Sequence, residues 1–279
     1  MTYATLYREG VGQLQAAGVK AANTDARLLL EFVCKTGMNT LFSHPDKEIS
    51  KEEEILYKEF ILRRKNGEPV QYITGEQEFM GLNFKTDPST LIPRLDTESV
   101  VEDALSELHD GMRILDLCTG SGCILLSLLK YSNDCIGIGT DISAKAVELA
   151  QLNSQRLGIE ATFLQGDLFE GVEGKFDMIL SNPPYIESAV IETLDDEVRK
   201  FEPMSALDGG EDGLVFYRRI AKEAKRYLKR GAVLIFEIGY NQGESVPGIL
   251  SEEGYQEIVV KKDLAGLNRT VMAKYYEFR

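Results

Sequence analysis

An apolar run, Phe176-Asp-Met-Ile-Leu-Ser181, empties into Asn182-Pro183-Pro184-Tyr185. Two consecutive prolines lock φ near about −65° and remove two backbone N–H donors. What remains is a stiff corner of acceptors, the Asn182 side-chain oxygen and the prolyl carbonyls, beside an aromatic face. Such a corner suits an –NH2 group, which brings two donors. Taken alone, it suits any –NH2, and an Asn-Pro-Pro triplet is also ordinary turn chemistry with a core aromatic behind it.

A second cluster lies upstream. Asp116-Leu-Cys118-Thr119-Gly120-Ser121-Gly122-Cys123 falls between an expected strand and its helix. Gly120 and Gly122 allow a tight turn and close approach to a ligand. The next strand ends in Asp141, at the distance where an acidic residue meets ribose hydroxyls. A third ends in Gly166-Asp167-Leu168, and Asp167 is suited to an adenine amino group. The dinucleotide fingerprint GxGxxG is incomplete, because the run from Gly120 lacks its third glycine. Asp116 is awkward beside a pyrophosphate and welcome beside an ammonium. S-adenosylmethionine has an ammonium and no phosphate, so the loop favours it over NAD. The alternative for Asp116 and Asp141 is helix capping.

These residues need a frame. The first ~70 residues read as a helical bundle. One helix runs from Thr2 to Ala17. A second covers Asp25 to Lys35 with Thr24 placed to cap it. A third is opened by the capping box Ser50-Lys-Glu-Glu53. Pro69 ends this pattern, and Tyr72 to Phe84 reads as β, with a hairpin turning near Gly81. A helix over Thr97 to His109 follows. Strands then alternate with helices: Arg113–Leu117, Cys123–Lys130, Cys135–Gly139, Ala144–Leu157, Ala161–Leu164, Phe176–Leu180, a helix over Phe216–Lys229, and Ala232–Phe236. Strands near Glu257–Lys261 and Thr270–Tyr275 close the sheet. The pattern predicts an α/β fold with a doubly wound, mostly parallel sheet. The expected organisation is a helical bundle over 1–70, a β-hairpin linker over 71–92 and a catalytic domain over 93–279.

Composition narrows the partners. The net charge is −14 over 279 residues. A surface that grips a phosphate backbone is usually basic. The only dense basic stretch, Arg218 to Arg230, falls at helical spacing and reads as a solvated outer face. Duplex DNA is therefore disfavoured as substrate. No apolar stretch approaches the ~20 residues of a membrane span, and the N-terminus lacks the pattern of a secretory signal. Cys34, Cys118, Cys123 and Cys135 form no CxxC pair, and His44 and His109 lie far apart. That argues against zinc and for free thiols in a reducing cytoplasm.

The Asp116–Cys123 loop, Asp141, Gly166-Asp167 and the Asn182–Tyr185 tetrad together resemble class I (Rossmann-like) S-adenosylmethionine-dependent methyltransferases acting on a planar nitrogen. Several further stretches narrow the resemblance: Pro69-Val-Gln-Tyr-Ile-Thr-Gly75, Phe79-Met-Gly-Leu-Asn-Phe84, Leu91-Ile-Pro-Arg94 with Asp96-Thr-Glu98, Glu202-Pro203 with Ala206-Leu207, Asp212-Gly-Leu214 with Tyr217-Arg218, and Asp263-Leu-Ala-Gly266 with Arg269. All are similar to the bacterial peptide chain release factor glutamine N5-methyltransferases, the PrmC/HemK family. The resemblance implies methylation of the glutamine of the Gly-Gly-Gln motif in class 1 release factors by a cytoplasmic, monomeric enzyme that binds no nucleic acid directly. S-adenosylhomocysteine is the implied product. By the family's pattern Cys118 to Gly122, Asp141, Leu168 and Asn182 contact the cofactor, and Asn182 to Tyr185 hold the glutamine. The Asn182 oxygen and the Pro183 carbonyl are expected to accept the two amide N–H bonds, and Tyr185 to cover the planar amide. The helical bundle is expected to dock the release factor. Cys118 stands where glycine is common, Leu168 where some members have Trp, and Leu95 where Pro is common.

Overall fold

The computed structural model describes residues 1–276. It divides into two compact units: Met1–Glu76 with Asp195–Phe201, and Gln77–Leu194 with the chain from Glu202 onward.

The first unit is built from α1 (Tyr3–Ala16), α2 (Ala22–Val33), α3 (Met38–Ser43), α4 (Lys51–Lys65) and α5 (Val70–Thr74). Leu6, Leu14, Leu29, Leu30, Tyr57 and Ile61 close its core. Ser50 caps α4 through the reciprocal bonds of a capping box, as the sequence predicts. Two local expectations fail. The second helix starts at Ala22 behind Ala21, so Thr24 lies inside the helix and caps nothing. Tyr72 is helical, because the segment after Pro69 closes a short helix that ends at Gly75 in the left-handed region (φ 69°). Pro69 starts that helix, a position that tolerates proline because no helical N–H is lost there.

The second unit opens with the hairpin β1 (Glu76–Phe79) and β2 (Leu82–Lys85). Its turn holds Met80 and Gly81 at φ 50° and 68°, the primed turn that matches strand twist. Then come α6 (Leu95–Glu107), β3 (Arg113–Leu117), α7 (Cys123–Lys130), β4 (Ile136–Asp141), α8 (Ala144–Leu157), β5 (Thr162–Gln165), β6 (Phe176–Ser181), α9 (Asp196–Phe201, which clusters with the first unit), α10 (Val215–Ala224), β7 (Leu228–Glu237), α11 (Ser245–Glu252), β8 (Gln256–Lys262) and β9 (Asn268–Lys274). The sheet order is β5-β4-β3-β6-β7-β9-β8. Within it β9 runs antiparallel to β7 and to β8, while β3 to β7 pair with one another in parallel. This is the mostly parallel α/β sheet read from the alternation.

Inner strands alternate faces with period two. Ile114, Met178 and Ile235 join Phe79, Phe84, Val100 and Leu125 on one side. Leu115, Ile179 and Leu234 join Tyr217, Ile220, Val246 and Leu250 on the other. The hairpin phenylalanines are thus core residues of the second unit.

The helix expected to reach Lys229 stops at Ala224, and the strand begins at Leu228. Leu228 is buried and pairs beside Phe176 of β6, so the apolar spacing that reads as helix there belongs to a strand. Lys229 and Arg230 therefore sit on β7. Leu95 is the first residue of α6 and is 71% exposed. The first helical position has no intrahelical N–H bond to lose, so leucine and proline both fit it.

Candidate active site

Strand β3 lies between β4 and β6, so the sheet's connections diverge from it, and the crevice outside the carboxyl ends is where such folds bind ligands. Leu117 and Ser181 stand in register across β3 and β6. The Ser181 hydroxyl donates to the Leu117 carbonyl at 2.7 Å and pins the two ends together. Beyond them lies a cavity of about 280 Å³. Its wall includes Cys118, Thr119, Gly120 and Ser121 after β3, Asp141 at the end of β4, Asp167 and Leu168 after β5, and Asn182 and Pro184 after β6. Four residues singled out in the sequence, Asp116, Gly122, Pro183 and Tyr185, adjoin this wall without being part of its lining.

Asp116 is 1% exposed. Its Oδ2 accepts the Thr119 hydroxyl at 2.6 Å, and Oδ1 has no partner among the described residues. Burial pushes the carboxyl up to about 7, against the Thr119 bond that lowers it. Gly122 begins α7 at φ 78°, and a Cβ there would stand 3.2–3.3 Å from Phe163, Ala150 and Leu126. Gly139 keeps similar room, since its Cβ would meet Thr119 Oγ1 at 2.8 Å.

Asp141 is spent on the glycine loop. Its Oδ2 accepts the Gly120 N–H and its Oδ1 the Ser143 N–H, each at 2.9 Å. Burial raises its pKa while these two bonds oppose the rise. The cap of α8 is Ser143, not Asp141. The Gly120 N–H is the kind of donor that phosphate loops aim at their ligand. Here a carboxylate covers it. The loop therefore disfavours a pyrophosphate on charge as well as on donors.

Asp167 and Leu168 also show tension. Asp167 Oδ2 pairs with Arg219 at 2.7 Å, and Arg219 lies over the Phe216 ring. Both Phe216 and Arg219 line the cavity, so Arg219 belongs to the site and not to a solvated outer face. Leu168 and Cys118 sit at φ 55° and 58°. Left-handed backbone at non-glycine residues costs about 1–3 kcal/mol each and gathers at functional sites. Leu168 is held by the Thr140 hydroxyl, which donates to its carbonyl at 2.8 Å. Burial keeps the Cys118 thiol protonated, which argues against a thiolate nucleophile.

The tetrad is clamped from the far side. Gly209 donates its N–H to the Ile186 carbonyl at 2.8 Å, and a Cβ at Gly209 would lie 2.7 Å from the Tyr185 Cα. Gln242 donates from Nε2 to the Tyr185 and Gly213 carbonyls at 3.1 and 3.2 Å. Burial raises the Tyr185 phenol and keeps it neutral.

Comparison with known proteins agrees with this geometry. Residues 5–75 match the PrmC N-terminal domain and residues 94–200 the methyltransferase small domain. The release factor glutamine methyltransferase of Geobacter sulfurreducens is 41% identical over 261 residues, covering 93% of this chain and 92% of its own. The chain belongs to the release factor glutamine methyltransferase family. The member from Clostridium botulinum is also 41% identical and spans 96% of this chain and 97% of its own. A methyltransferase from Pyrococcus furiosus shares the fold, with a TM-score of 0.54 at 18% identity, over 79% of this chain and 98% of that one.

Within a release factor glutamine methyltransferase, several wall residues carry no signal of their own in the sequence. Thr90, Ile92, Arg94 and Thr97 line the cavity, as do Ser205 and Asp208. Arg94 is bonded to Glu202, whose side chain is 1% exposed. These positions fall in or beside the family stretches Leu91–Arg94 and Glu202–Leu207, which marked them only by resemblance. Glu237 lies outside every stretch singled out in the sequence. It ends a buried strand as Asp141 does, and that rule could have found it.

Proposed function

We propose that the protein transfers a methyl group from S-adenosylmethionine to the side-chain amide nitrogen of the glutamine in the Gly-Gly-Gln motif of class 1 release factors. The observation that carries the reading is that Asn182 and Pro184 share one cavity with the glycine loop, Asp141 and Leu168. The acceptor corner thus opens into the crevice suited to the nucleoside. The cavity fits this cofactor: acidic side chains and a covered loop N–H disfavour phosphate, Ile142 and Leu168 offer apolar faces, and Asp116 Oδ1 is an unused acceptor behind Thr119. The cofactor supplies an electrophilic methyl group on a sulfonium.

An amide nitrogen is a poor nucleophile because its lone pair is delocalised into the carbonyl. The chain answers by position. The Asn182 oxygen and the Pro183 carbonyl accept the two N–H bonds, orient the nitrogen and favour the positive charge that grows on it. Pro183 and Pro184 keep the corner rigid and free of competing N–H donors. Tyr185, neutral and partly buried, covers the amide and excludes water. Methyl transfer would break the sulfonium S–C bond, leaving the thioether S-adenosylhomocysteine, as the N–C bond forms, and the nitrogen would lose one proton to solvent. By the family's pattern the protein acts as a monomer in the cytoplasm.

The test is methyl transfer from labelled cofactor to release factor, to ribosomal protein and to DNA. Label on the release factor is expected, with a drop of about 10²-fold in Asn182→Ala at unchanged cofactor affinity. Label on DNA alone, or a fully active Asn182→Ala, overturns the reading.

A further inference from the structure

Glu237 ends β7 beside the tetrad. Phe236 is in register with Ser181, so residues 237 and 182 leave the sheet side by side. The Glu237 side chain is 2% exposed, and Thr97 and Asn182 stand beside its carboxyl, near enough to act on its charge. Both of those residues face the cavity. Its Oε2 has no partner among the described residues. Its backbone is fixed: the Tyr217 hydroxyl donates to its carbonyl at 2.8 Å, and β9 pairs with it at Thr270. Its charge is felt by Arg269, which is itself shared with Asp263 and Asp96 at 3.2 Å each.

A carboxamide has two ends of nearly equal shape, one that accepts and one that donates. Turned the wrong way, Asn182 would present its own –NH2 to the –NH2 of the glutamine, and the grip would become a repulsion. Nothing in the shape of the corner prevents that. An ionised Glu prevents it, because it only accepts; burial moves that ionisation up to about 7, so the rates are compared at pH 8. We propose that Glu237 is a positioning residue: it takes an N–H of Asn182 and holds the Asn182 oxygen toward the cavity. Thr97, on the first turn of α6, stands beside the same carboxyl, and its hydroxyl is the donor placed to fix its direction. The inference rests on the reading of Asn182 as the residue that grips the substrate amide.

The test is Glu237→Gln, made in the parent and in Asn182→Ala, with single-turnover methyl transfer to release factor and calorimetric cofactor binding. In the parent, the rate is expected to fall about 10-fold or more, with release factor KM and cofactor Kd held within about twofold. In Asn182→Ala the same change is expected to cost less than about twofold, because the group it acts through is gone. Glu237→Asp, which keeps the charge but withdraws it, is expected to lose less and again only when Asn182 is present. It takes over the comparison if the glutamine variant does not fold. An unaffected Glu237→Gln, equal losses in both backgrounds, or a loss that follows cofactor Kd each overturns the positioning role. A fully active Asn182→Ala instead sinks the grip itself.

Discussion

Two buried carboxyls give the site its electrostatic signature. Burial pushes Asp116 up to about 7, and Glu237 to about 7. An unfolded carboxylic side chain titrates near ~4. Between those values the folded chain holds protons that the unfolded chain has released. Their contribution to stability is therefore full below ~pH 4 and is lost as pH rises through about 7. Asp196 runs the other way. Its bonds to Lys200 and Arg199 hold it at about 2, so its contribution is lost only in strong acid. The cofactor-free protein should thus become less stable from pH 5 to pH 8. Asp116→Asn keeps an acceptor for Thr119 and removes one titration, so the decline should flatten. Urea unfolding at pH 5, 6.5 and 8 measures it, and parallel declines in parent and variant would count against the assignment. The acid loop was readable in the sequence, but the burial of Asp116 was not. A glycine at 139 that lets Thr119 close over Asp116 leaves no mark in residue spacing.

The elements that carry the site are joined by one residue whose sequence context is bland. Asn153, fully buried on α8, accepts the Lys85 N–H at 2.7 Å. It donates to the Lys85 and Ser121 carbonyls at 3.1 and 3.0 Å. It ties the hairpin to the glycine loop. Asn153→Ala leaves those backbone groups without partners in the core. The expected cost is about 3 kcal/mol, with weaker cofactor binding because Ser121 lies on the cavity wall. Urea unfolding and calorimetry check both. A loss under about 1 kcal/mol would mean that water replaces the side chain. Periodicity made the parallel strands, α7 and α8 legible, since each has one face to bury. It could not show Asn153, because a polar residue on a helix reads as solvated. It misplaced the end of α10 because Leu228 continues the helical apolar spacing into a strand.

The whole chain is less contiguous than its sequence suggests. Residues 195–201 group with the first unit, although they follow the tetrad. A reading that divides the chain into consecutive stretches has no signal for such a return. Within that unit, Arg64 donates to Asp25 at 2.8 Å and to Glu197 at 2.7 Å, with Arg64 and Asp25 each 7% exposed. Removing one partner of a buried pair leaves the other charge uncompensated, at a cost of about 3–5 kcal/mol. Arg64→Ala should therefore loosen the first unit and expose 195–201 to limited proteolysis. We propose that this unit docks the release factor, and the same variant tests it. If docking is its role, methyl transfer to whole release factor should fall about 10-fold more than transfer to a short Gly-Gly-Gln peptide. The peptide needs only the cavity of the second unit. Equal losses on both substrates would leave the first unit a purely stabilising part.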